Sequence, residues 1–424
     1  MDDPISRRSS SMRVSEIREI LKLTQRPGII SFAGGLPNPE TFPHKELRGI
    51  VDNLLKDKYG IVLQYGTTEG YDELRQALLE RMKRYKVNVT LDNLIITTGA
   101  QQGLIALGLV VLDPGDKFAV SSLTFLGALS VFSLVEAVPV PIALDENGMD
   151  IDELEKKLEE NQREGTPIKI VYTVPTFQNP TGVTMSEQRR LRLVELARKY
   201  NFFIIEDDPY GDLRYSGDPI DKIIAFDIPK EDKGNTIYIS TFSKTISPGL
   251  RIGWAVGPKS LIRNMVIAKQ SLDLCTNVFS QAIIAEYLNR NLMDVHNEKI
   301  KKVYKHKRDI MMESMKRYFP SRITWTQPDG GLFLWVTLPK GIDTKELLNK
   351  VIEKKVAFVP GHVFTTDTNI QNTMRLNFSC ESDKNIEEGI KRLGEVIAAE
   401  LKKQRTRLKK RLKTKGGLNA RCII

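Results

Sequence analysis

The chain has 424 residues, of which 41% are hydrophobic and 27% are charged, and its formal net charge is +10. This composition is typical of a globular protein, and the length is too great for one simple core, so we expect one large and one smaller domain. The longest apolar run, residues 104–112, is too short to cross a bilayer, and the first residues lack the apolar stretch of a secretory signal.

The positive charge belongs to the end of the chain. Ten of the 63 basic residues lie in residues 401–424, which contain no Asp or Glu, so the remainder carries 53 basic and 53 acidic residues. Such an extension is usually a frayed, solvated tail, and we favour that interpretation. The alternative is salt-sensitive contact with nucleic acid, but no aromatic residue is interleaved for stacking on bases.

The number and spacing of cysteines and histidines indicate the cellular compartment and whether disulfides or a metal site are expected. Three cysteines and four histidines are scattered along the chain without a CxxC spacing. An odd, dispersed set of cysteines fits a reducing cytoplasm and argues against a disulfide framework. The same dispersal argues against a metal site, so we expect a cytoplasmic protein without a bound metal.

The predicted elements begin with a short amphipathic helix that Ser15 can cap, followed by a strand and a Gly/Pro-rich loop over 29–43. From about residue 61, helix and strand patterns alternate. Helices are predicted over 71–85, 102–112, 126–136, 151–162 and 186–200, and strands over 93–99, 117–122, 168–175, 202–207 and 237–239. This alternation predicts an α/β fold with a doubly wound, mainly parallel sheet.

The last part of the chain is predicted to form a smaller α+β domain. Its predicted elements are a helical section over 259–319, strands over 331–339, 356–360 and 372–379, and helices over 344–355 and 384–405. We therefore divide the chain into an N-terminal segment that joins the small domain, a large domain, a small domain and a basic tail, covering residues 1–60, 61–305, 306–400 and 401–424.

Lys244 is the central candidate for chemistry. An apolar strand stops at Ser240, a Ser/Thr-rich segment then carries Lys244, and Arg251 follows. Pyridoxal 5′-phosphate (PLP) needs this combination, because an amine must form an imine with its aldehyde while hydroxyls such as that of Thr241 and a guanidinium hold its phosphate. A lone lysine between serines is usually solvated surface, so the interpretation depends on the other strand ends.

Ligands of parallel sheets lie beyond the carboxyl ends of the strands. Two further strands end there in groups that suit the ring of the same cofactor. Strand 202–207 ends in Asp207, a partner for the pyridine nitrogen, with Tyr210 three residues on and Asp208 as the competing carboxylate. Strand 168–175 leads to Asn179, which like Tyr210 can donate to the ring phenolate. The sequence leaves open whether the bond to Pro180 is cis.

Two more segments suit the phosphate and the ring face. Strand 93–99 opens onto Gly99, Ala100 and Gln101 at a helix start, where backbone N–H groups bind anions. Phe125, after the next strand, can lie flat on the pyridine ring or belong to the core. Each signal alone has an ordinary structural explanation, and only their coincidence favours a cofactor site.

Six segments give the chain a resemblance to a known family: SFAGGLPNPETFP, LQYGTTEGY, TFQNPTG, IIEDDPY, STFSKTISPGLRIGW and MRLNFS. In this order and spacing they resemble class I/II (fold-type I) PLP-dependent aminotransferases over about residues 10–400. The segment SEIREILKLTQRPGIISFAGGLPNPETFP resembles the branch of 2-aminoadipate and kynurenine aminotransferase II-like enzymes, including multisubstrate aromatic ones. The resemblance implies a large domain with a mainly parallel central sheet, a smaller α+β domain, and a homodimer with shared active sites.

The resemblance also assigns cofactor contacts. It implies that Lys244 forms the Schiff base and moves protons, that Asp207 binds the pyridine nitrogen, and that the phenolate is bound by Asn179 and Tyr210. It implies phosphate contacts from Ala100, Gln101, Thr241 and Arg251, and from Tyr65 of the neighbouring subunit. The family commonly has an acid, a proline and a tyrosine where this chain has Ser121, Leu123 and Phe125, so Phe125 would stack without supplying a hydroxyl.

Substrate contacts are implied in the same way. Arg375 matches the arginine that grips the α-carboxylate, Gly35 lies against the substrate, and Asn179 contacts substrate as well as cofactor. Arg18 matches the position that holds the distal carboxylate of an acidic substrate, and its alternative is a surface arginine on a short amphipathic helix.

We therefore expect a PLP-dependent aminotransferase with a ping-pong mechanism. It would move the amino group of 2-aminoadipate, an aromatic amino acid, kynurenine or a leucine-like amino acid to 2-oxoglutarate. The alternatives are a PLP-dependent lyase or decarboxylase on the same fold, and a nucleic-acid-associating protein that acts through its basic tail.

Overall fold

A computed structural model of the chain describes residues 6, 9, 16–24, 27–227, 233–365 and 370–414. The helices are α1 (Glu16–Thr24), α2 (His44–Asp57), α3 (Tyr59–Val62), α4 (Asp72–Arg84), α5 (Gly99–Val111), α6 (Leu126–Leu134), α7 (Ile151–Arg163), α8 (Glu187–Tyr200), α9 (Ile223–Phe226), α10 (Lys259–Leu272), α11 (Val278–Asn289), α12 (Leu292–Tyr318), α13 (Thr344–Glu353) and α14 (Asp383–Thr414). Ser15, the predicted cap of α1, lies outside the described residues.

The strands are β1 (Ile30–Ser31), β2 (Leu94–Thr97), β3 (Lys117–Ser121), β4 (Val138–Ile142), β5 (Leu144–Asp145), β6 (Gly148–Met149), β7 (Ile168–Thr173), β8 (Phe203–Asp207), β9 (Thr236–Thr241), β10 (Gly253–Val256), β11 (Thr324–Trp325), β12 (Phe333–Thr337), β13 (Val356–Ala357), β14 (Val359–Pro360) and β15 (Thr373–Asn377). The chain forms two compact units. The larger contains residues 36–305 and 328–332, and the smaller contains the segment that ends at Gly35 together with residues 306–327 and the chain from Phe333 onward.

The larger unit is built on a seven-stranded sheet with the order β2-β10-β9-β8-β7-β3-β4. Strand β10 runs antiparallel to both of its neighbours, and the other six strands run in one direction. The central strands have apolar middles because helices cover both faces of such a sheet; Ile204, Ile205, Ile237 and Ile239 are fully buried. The predicted α/β fold with a mainly parallel sheet is confirmed.

Strand β4 is an edge strand that the sequence analysis missed. Its sequence, VPVPI, contains two prolines, which lack the N–H that a central strand needs. The structure places it at the end of the sheet, paired only with β3. Proline is tolerated at an edge, so the composition that argues against a central strand is compatible with this position.

The smaller unit contains an antiparallel sheet with the order β11-β12-β15-β14 and a separate parallel pair, β1 with β13. The single strand predicted over 356–360 is wrong in one respect. Residues 356–357 pair with β1, whereas residues 359–360 pair with β15, so the run changes partners at Phe358. An apolar run shows that residues are buried but does not show which strand they pair with.

The helical section predicted over 259–319 is three helices, α10 to α12. Leu274 and Asn291 stand in the two breaks with left-handed backbone angles, φ 62° and 54°, a conformation that ends helices. Asn277 then caps α11 by accepting a hydrogen bond from the N–H of Ser280 at 2.7 Å. Apolar periodicity continues across both breaks, so it does not reveal them.

The last helix is longer than predicted. Its predicted end near residue 405 is wrong, because α14 continues to Thr414. Lys, Arg, Leu and Gln are good helix formers, and the first glycines after residue 405 are at positions 416 and 417. Glu400 pairs with Lys350 at 2.8 Å and Gln404 donates to the carbonyl of Lys340, so the start of the basic tail is attached to its unit. Within the described residues, no helix has the length and apolarity needed to span a membrane.

Candidate active site

The carboxyl ends of β2, β3, β7, β8 and β9 lie at one edge of the seven-stranded sheet, since these strands share a direction. The register of β10 determines which residues meet there. Gly253 lies opposite Thr97 on one side and opposite Thr241 on the other. The ends of β2 and β9, far apart in sequence, are therefore separated by one strand.

Close backbone packing forms a cradle at this edge. Gly99, Ala100 and Gln101 make the first turn of α5, where N–H groups have no partner within the helix. A Cβ atom on Gly253 would lie 2.6 Å from the nitrogen of Ala100, and one on Gly99 would lie 2.4 Å from Nη2 of Arg251. Both positions therefore require glycine, because any side chain would fill the space between the helix start and the guanidinium.

Two hydroxyl groups line the same cradle. Oγ1 of Thr241 lies 2.9 Å from Oγ of Ser243, and Nη1 of Arg251 lies 3.5 Å from that Oγ. Arg251 has a left-handed backbone, φ 56°, and its Nη2 also reaches the carbonyl oxygen of Thr98. A helix start, a guanidinium and hydroxyls within hydrogen-bonding range form a site for a phosphate group.

Lys244 lies in a tight turn directly after β9 and is half-buried. The carbonyl oxygen of Phe242 accepts hydrogen bonds from the N–H groups of Ile246, at 2.9 Å, and Ser247, at 3.1 Å. The chain folds back over this carbonyl, so the turn gives Lys244 a defined starting point at the sheet edge.

Asp207 ends β8 as a buried carboxyl group. Its Oδ2 accepts a hydrogen bond from the hydroxyl of Tyr172 at 2.7 Å, while its Oδ1 has no hydrogen-bond partner among the described residues. Burial raises the pKa of Asp207 to about 7, the Tyr172 hydroxyl acts in the opposite direction, and Asp208 raises the pKa further. A buried carboxylate with one oxygen unused is costly unless a donor or a cation binds it.

Asp208, the competing candidate, has other partners. Its carboxylate pairs with Lys222 and accepts from the hydroxyl of Tyr238 at 3.1 Å. Its carbonyl accepts from Ser240 at 2.7 Å, so its backbone is also fixed to β9. The lysine leaves Asp208 with an internal partner, which makes Asp207 the better candidate for a ligand.

The loop that carries Asn179 is fixed from several directions. Nε2 of Gln178 donates to the carbonyl of Leu123 at 2.6 Å, and Oε1 of Gln178 accepts from the hydroxyl of Thr181 at 2.6 Å. Asn179 itself is buried, and the peptide bond to Pro180 is cis. Gln178 thus connects this loop to the loop that leads to Phe125.

Phe125 and Gln101 meet at a glycine. A Cβ atom on Gly127 would lie 2.3 Å from the ring of Phe125 and 2.8 Å from Oε1 of Gln101. Nε2 of Gln101 also donates to the carbonyl of Gly127 at 3.1 Å. The structure therefore brings the predicted ring-stacking residue and the predicted phosphate turn together.

The two predicted tyrosines differ in exposure. Tyr210 is buried, and its carbonyl accepts from the N–H of Leu213 at 2.8 Å. Tyr65 is 79% exposed, and no contact between its side chain and the cradle is seen among the described residues of this chain. Its predicted role belongs to a neighbouring subunit.

The predicted substrate residues Arg375, Gly35 and Arg18 belong to the smaller unit. Arg375 is 2% exposed; its Cζ lies 4.3 Å from the ring centre of Phe333 and 4.8 Å from that of Phe364, and its Nη2 donates to the carbonyl of Ala33 at 2.8 Å. Aromatic faces on a guanidinium restrict its orientation.

Gly35 and Arg18 differ in their surroundings. A Cβ atom on Gly35 would lie 3.3 Å from the Phe333 ring. Arg18 is exposed on α1, a helix that Glu16 connects to His362 by a contact of 3.1 Å.

Sequence reasoning missed three residues that support this site: Tyr172, Gln178 and Arg190. Arg190 is fully buried, and its guanidinium donates to the carbonyls of Pro175 and Asp221, both at 2.9 Å. An arginine inside the SEQRRLRL helix has no signal that distinguishes it from its exposed neighbours. Tyr172 lies in a strand that is buried on both faces, so its sequence does not distinguish it from a core residue.

Comparisons with known proteins identify the family. The family model "Aminotransferase class I and II" matches residues 41–393. The chain is 48% identical to aromatic-amino-acid aminotransferase 1 of Thermococcus litoralis, over 94% of this chain and 95% of that protein. The chain belongs to the class I and II aminotransferases.

Solved structures agree with this assignment. The crystal structure of Pyrococcus horikoshii kynurenine aminotransferase in complex with PMP matches with a TM-score of 0.90 and 48% identity, over 94% of this chain and 98% of that one. The Thermus thermophilus α-aminoadipate aminotransferase, complexed with N-(5′-phosphopyridoxyl)-L-leucine, matches with a TM-score of 0.85 and 33% identity, over 94% and 98%. The protein is a PLP-dependent aminotransferase, as the sequence predicts, and the lyase, decarboxylase and nucleic-acid alternatives are not favoured.

The residues of the larger unit fit this cofactor. The unused Oδ1 of the buried Asp207 suits a protonated pyridine nitrogen, and the cradle between Gly99 and Arg251 suits a phosphate. Lys244 supplies an amine at the same edge of the sheet. These are the three attachment points that the cofactor needs.

The pKa of Asp207 predicts how the cofactor-free enzyme responds to pH. Because burial raises this pKa from 3.8 to about 7, the folded protein binds a proton that the unfolded chain has lost, and stability falls as pH rises through this range. Between these two pKa values, we expect the unfolding free energy of the cofactor-free wild type to fall by on the order of 4 kcal/mol more than that of Asp207→Asn, which has no carboxyl group to titrate. Urea unfolding between pH 4 and 8 measures this difference. Tyr172→Phe should extend the loss to higher pH, whereas parallel pH profiles for wild type and Asp207→Asn would contradict the assignment.

Proposed function

We propose that this aminotransferase takes its amino group from 2-aminoadipate, aromatic amino acids, kynurenine or leucine-like amino acids, and passes it to 2-oxoglutarate. The names and bound molecules of its relatives support this range: aromatic amino acids, kynurenine, aminoadipate and a leucine adduct. The observation that carries the proposal is Arg375, a buried guanidinium between two aromatic faces. It suits a carboxylate that is attached to an apolar or aromatic side chain.

In the proposed mechanism, the residues of the larger unit divide the work of holding the cofactor. When bound, PLP withdraws electrons from the α-carbon of the amino acid and so makes the α-proton acidic. Asp207 keeps the pyridine nitrogen protonated, while Asn179 and Tyr210 hold the phenolate oxygen. The start of α5, Thr241 and Arg251 hold the phosphate.

Proton transfer and substrate orientation are the remaining tasks. Nζ of Lys244 accepts the α-proton of the donor and later returns a proton, acting as general base and then as general acid. Arg375 fixes the α-carboxylate, Gly35 leaves room beside the substrate, and Asn179 contacts it. Arg18 binds a second carboxylate when the substrate has one.

A donor panel separates the two arginines. We expect Arg375→Gln to raise KM about a hundredfold for both 2-aminoadipate and phenylalanine, since both carry an α-carboxylate. We expect Arg18→Gln to raise KM about tenfold for 2-aminoadipate only, because phenylalanine has no distal carboxylate. Steady-state kinetics with 2-oxoglutarate as acceptor measures both changes, with Lys244→Ala as the inactive control. Equal effects of Arg18→Gln on the two donors would contradict its role, and full turnover by Lys244→Ala would contradict the mechanism.

We further propose that the enzyme is a homodimer with shared active sites. A run of large apolar side chains from the end of α2 onward is exposed: Leu55, Tyr59, Ile61, Leu63 and Tyr65 are 43%, 63%, 57%, 66% and 79% accessible. A contiguous segment of this kind is unusual on a monomer and typical of an interface. Tyr65 of the partner subunit would then reach the phosphate, as the resemblance implies.

Mixed dimers test the shared site. A chain with Lys244→Ala and a chain with Tyr65→Ala are each impaired alone. If Tyr65 acts across the interface, a heterodimer of the two contains one site with both Lys244 and Tyr65 intact. We expect purified heterodimers to recover wild-type affinity for PLP at one site for each dimer, measured by titration of visible absorbance. Recovery of none, or a monomer in sedimentation experiments, would contradict the proposal.

We also propose a cytoplasmic location. The support is the dispersed, odd number of cysteines in the sequence, which have no CxxC spacing. Cysteines distributed in this way suit a reducing compartment.

A further inference from the structure

A histidine connects the turn that carries Lys244 to helix α12. Nε2 of His296 lies 2.8 Å from the carbonyl oxygen of Thr245, the residue directly after Lys244. A carbonyl oxygen can only accept, so Nε2 carries the proton and donates it. Neither the sequence motifs nor the proposed mechanism gives His296 a task.

This hydrogen bond is shielded from water. His296 and Thr245 are 7% and 5% exposed, and the ring of Tyr287 packs edge-on against the imidazole with centroids 6.2 Å apart. Burial lowers the pKa of His296, while the bond to Thr245 acts in the opposite direction. A neutral imidazole in one tautomer is a fixed donor, and a buried bond of this kind is not exchanged for one to water.

The bond acts on a peptide unit that is held from its other side as well. The carbonyl of Thr245 and the N–H of Ile246 belong to the same planar peptide. The N–H of Ile246 donates to the carbonyl of Phe242 at 2.9 Å, inside the turn, while the carbonyl of Thr245 accepts from His296 outside it. With both ends bonded, this plane cannot rotate without the loss of a buried hydrogen bond.

We propose that His296 is a positioning residue that aims Lys244. By fixing the peptide that follows Thr245, it fixes the direction of the turn and therefore the origin of the lysine side chain. Lys244 must reach both the cofactor and the α-proton of the donor. A small displacement of its Nζ slows proton transfer more than it weakens substrate binding. This inference rests on the proposed role of Lys244.

Two substitutions of similar shape test the proposal in the holoenzyme. In His296→Gln, Nε2 is the same number of bonds from Cβ as in histidine and can donate to Thr245. His296→Met has a similar length and no donor. Ile300→Val, one turn further along α12 and also buried, is the control for a small packing defect without loss of a hydrogen bond.

We expect His296→Met to lower kcat about tenfold with KM changed less than about twofold, and to increase the isotope effect on kcat for α-deuterated donor. His296→Gln and Ile300→Val should stay within about twofold of wild type, with an unchanged isotope effect. The isotope effect is the decisive readout, because a defect in packing alone does not make proton transfer more rate-limiting.

Three outcomes would overturn the inference: wild-type kcat and isotope effect in His296→Met, equal impairment of His296→Gln and His296→Met, or a similar loss in Ile300→Val. If His296→Met does not fold, His296→Asn, whose shorter amide cannot reach Thr245, takes its place with the same expectations. None of these outcomes affects the role of Lys244 itself. That role fails separately, if Lys244→Ala keeps full turnover.

Discussion

The site depends on one buried carboxyl group. Asp207 is placed by the register of β8, bonded to Tyr172 through one oxygen and left with the other oxygen unused. Removing such a group from water without full compensation costs several kcal/mol, so the fold carries an electrostatic penalty that a bound cation relieves. We propose that a protonated pyridine ring supplies that cation, so that the penalty becomes affinity for the cofactor in the orientation that brings its nitrogen to Asp207.

The surrounding residues keep this carboxyl group in place and separate it from other charges. Asp208 is adjacent in sequence and its Oδ1 also has no hydrogen-bond partner among the described residues, but Lys222 neutralises its charge, so Asp207 is the acid that still needs a cation. Arg190 binds the carbonyl that precedes the Asn179 loop, and Gln178 connects that loop to the one leading to Phe125. The hydrogen bonds of Arg190 and Gln178 have backbone carbonyls as acceptors, so they satisfy buried polar groups of loops that lack regular secondary structure.

Much of the fold and of the candidate site was predictable from the sequence, for identifiable reasons. Strands β8 and β9 have hydrophobic centres, residues 203–205 and 237–239, and end in polar residues, so the sequence indicates both the strands and their functional ends. The proposed cofactor lysine, its arginine and the Gly99 turn fall into motifs whose chemistry is specific when they occur together. The family resemblance added the residues of the smaller unit and the role of Tyr65, which no local pattern indicates.

The rest was not predictable, because it depends on tertiary contacts. Tyr172, Arg190 and His296 are ordinary residues of a strand and two helices, and only the fold shows that each donates to the site or to its supports. The breaks between α10, α11 and α12 depend on single residues with left-handed angles, which apolar periodicity does not register. The last part of α14, residues 406–414, was missed because a dense basic charge suggests a tail, although its residues favour a helix.

We propose that Lys244 holds the cofactor, and chemical trapping of the bound cofactor is the sharpest test of this role. Borohydride reduction of the holoenzyme fixes the pyridoxyl group to the amine that carries it, and peptide mass spectrometry then locates the modified lysine. We expect one modification for each chain, on the peptide that contains Lys244. Modification of a different lysine, or none after saturation with PLP, would contradict it.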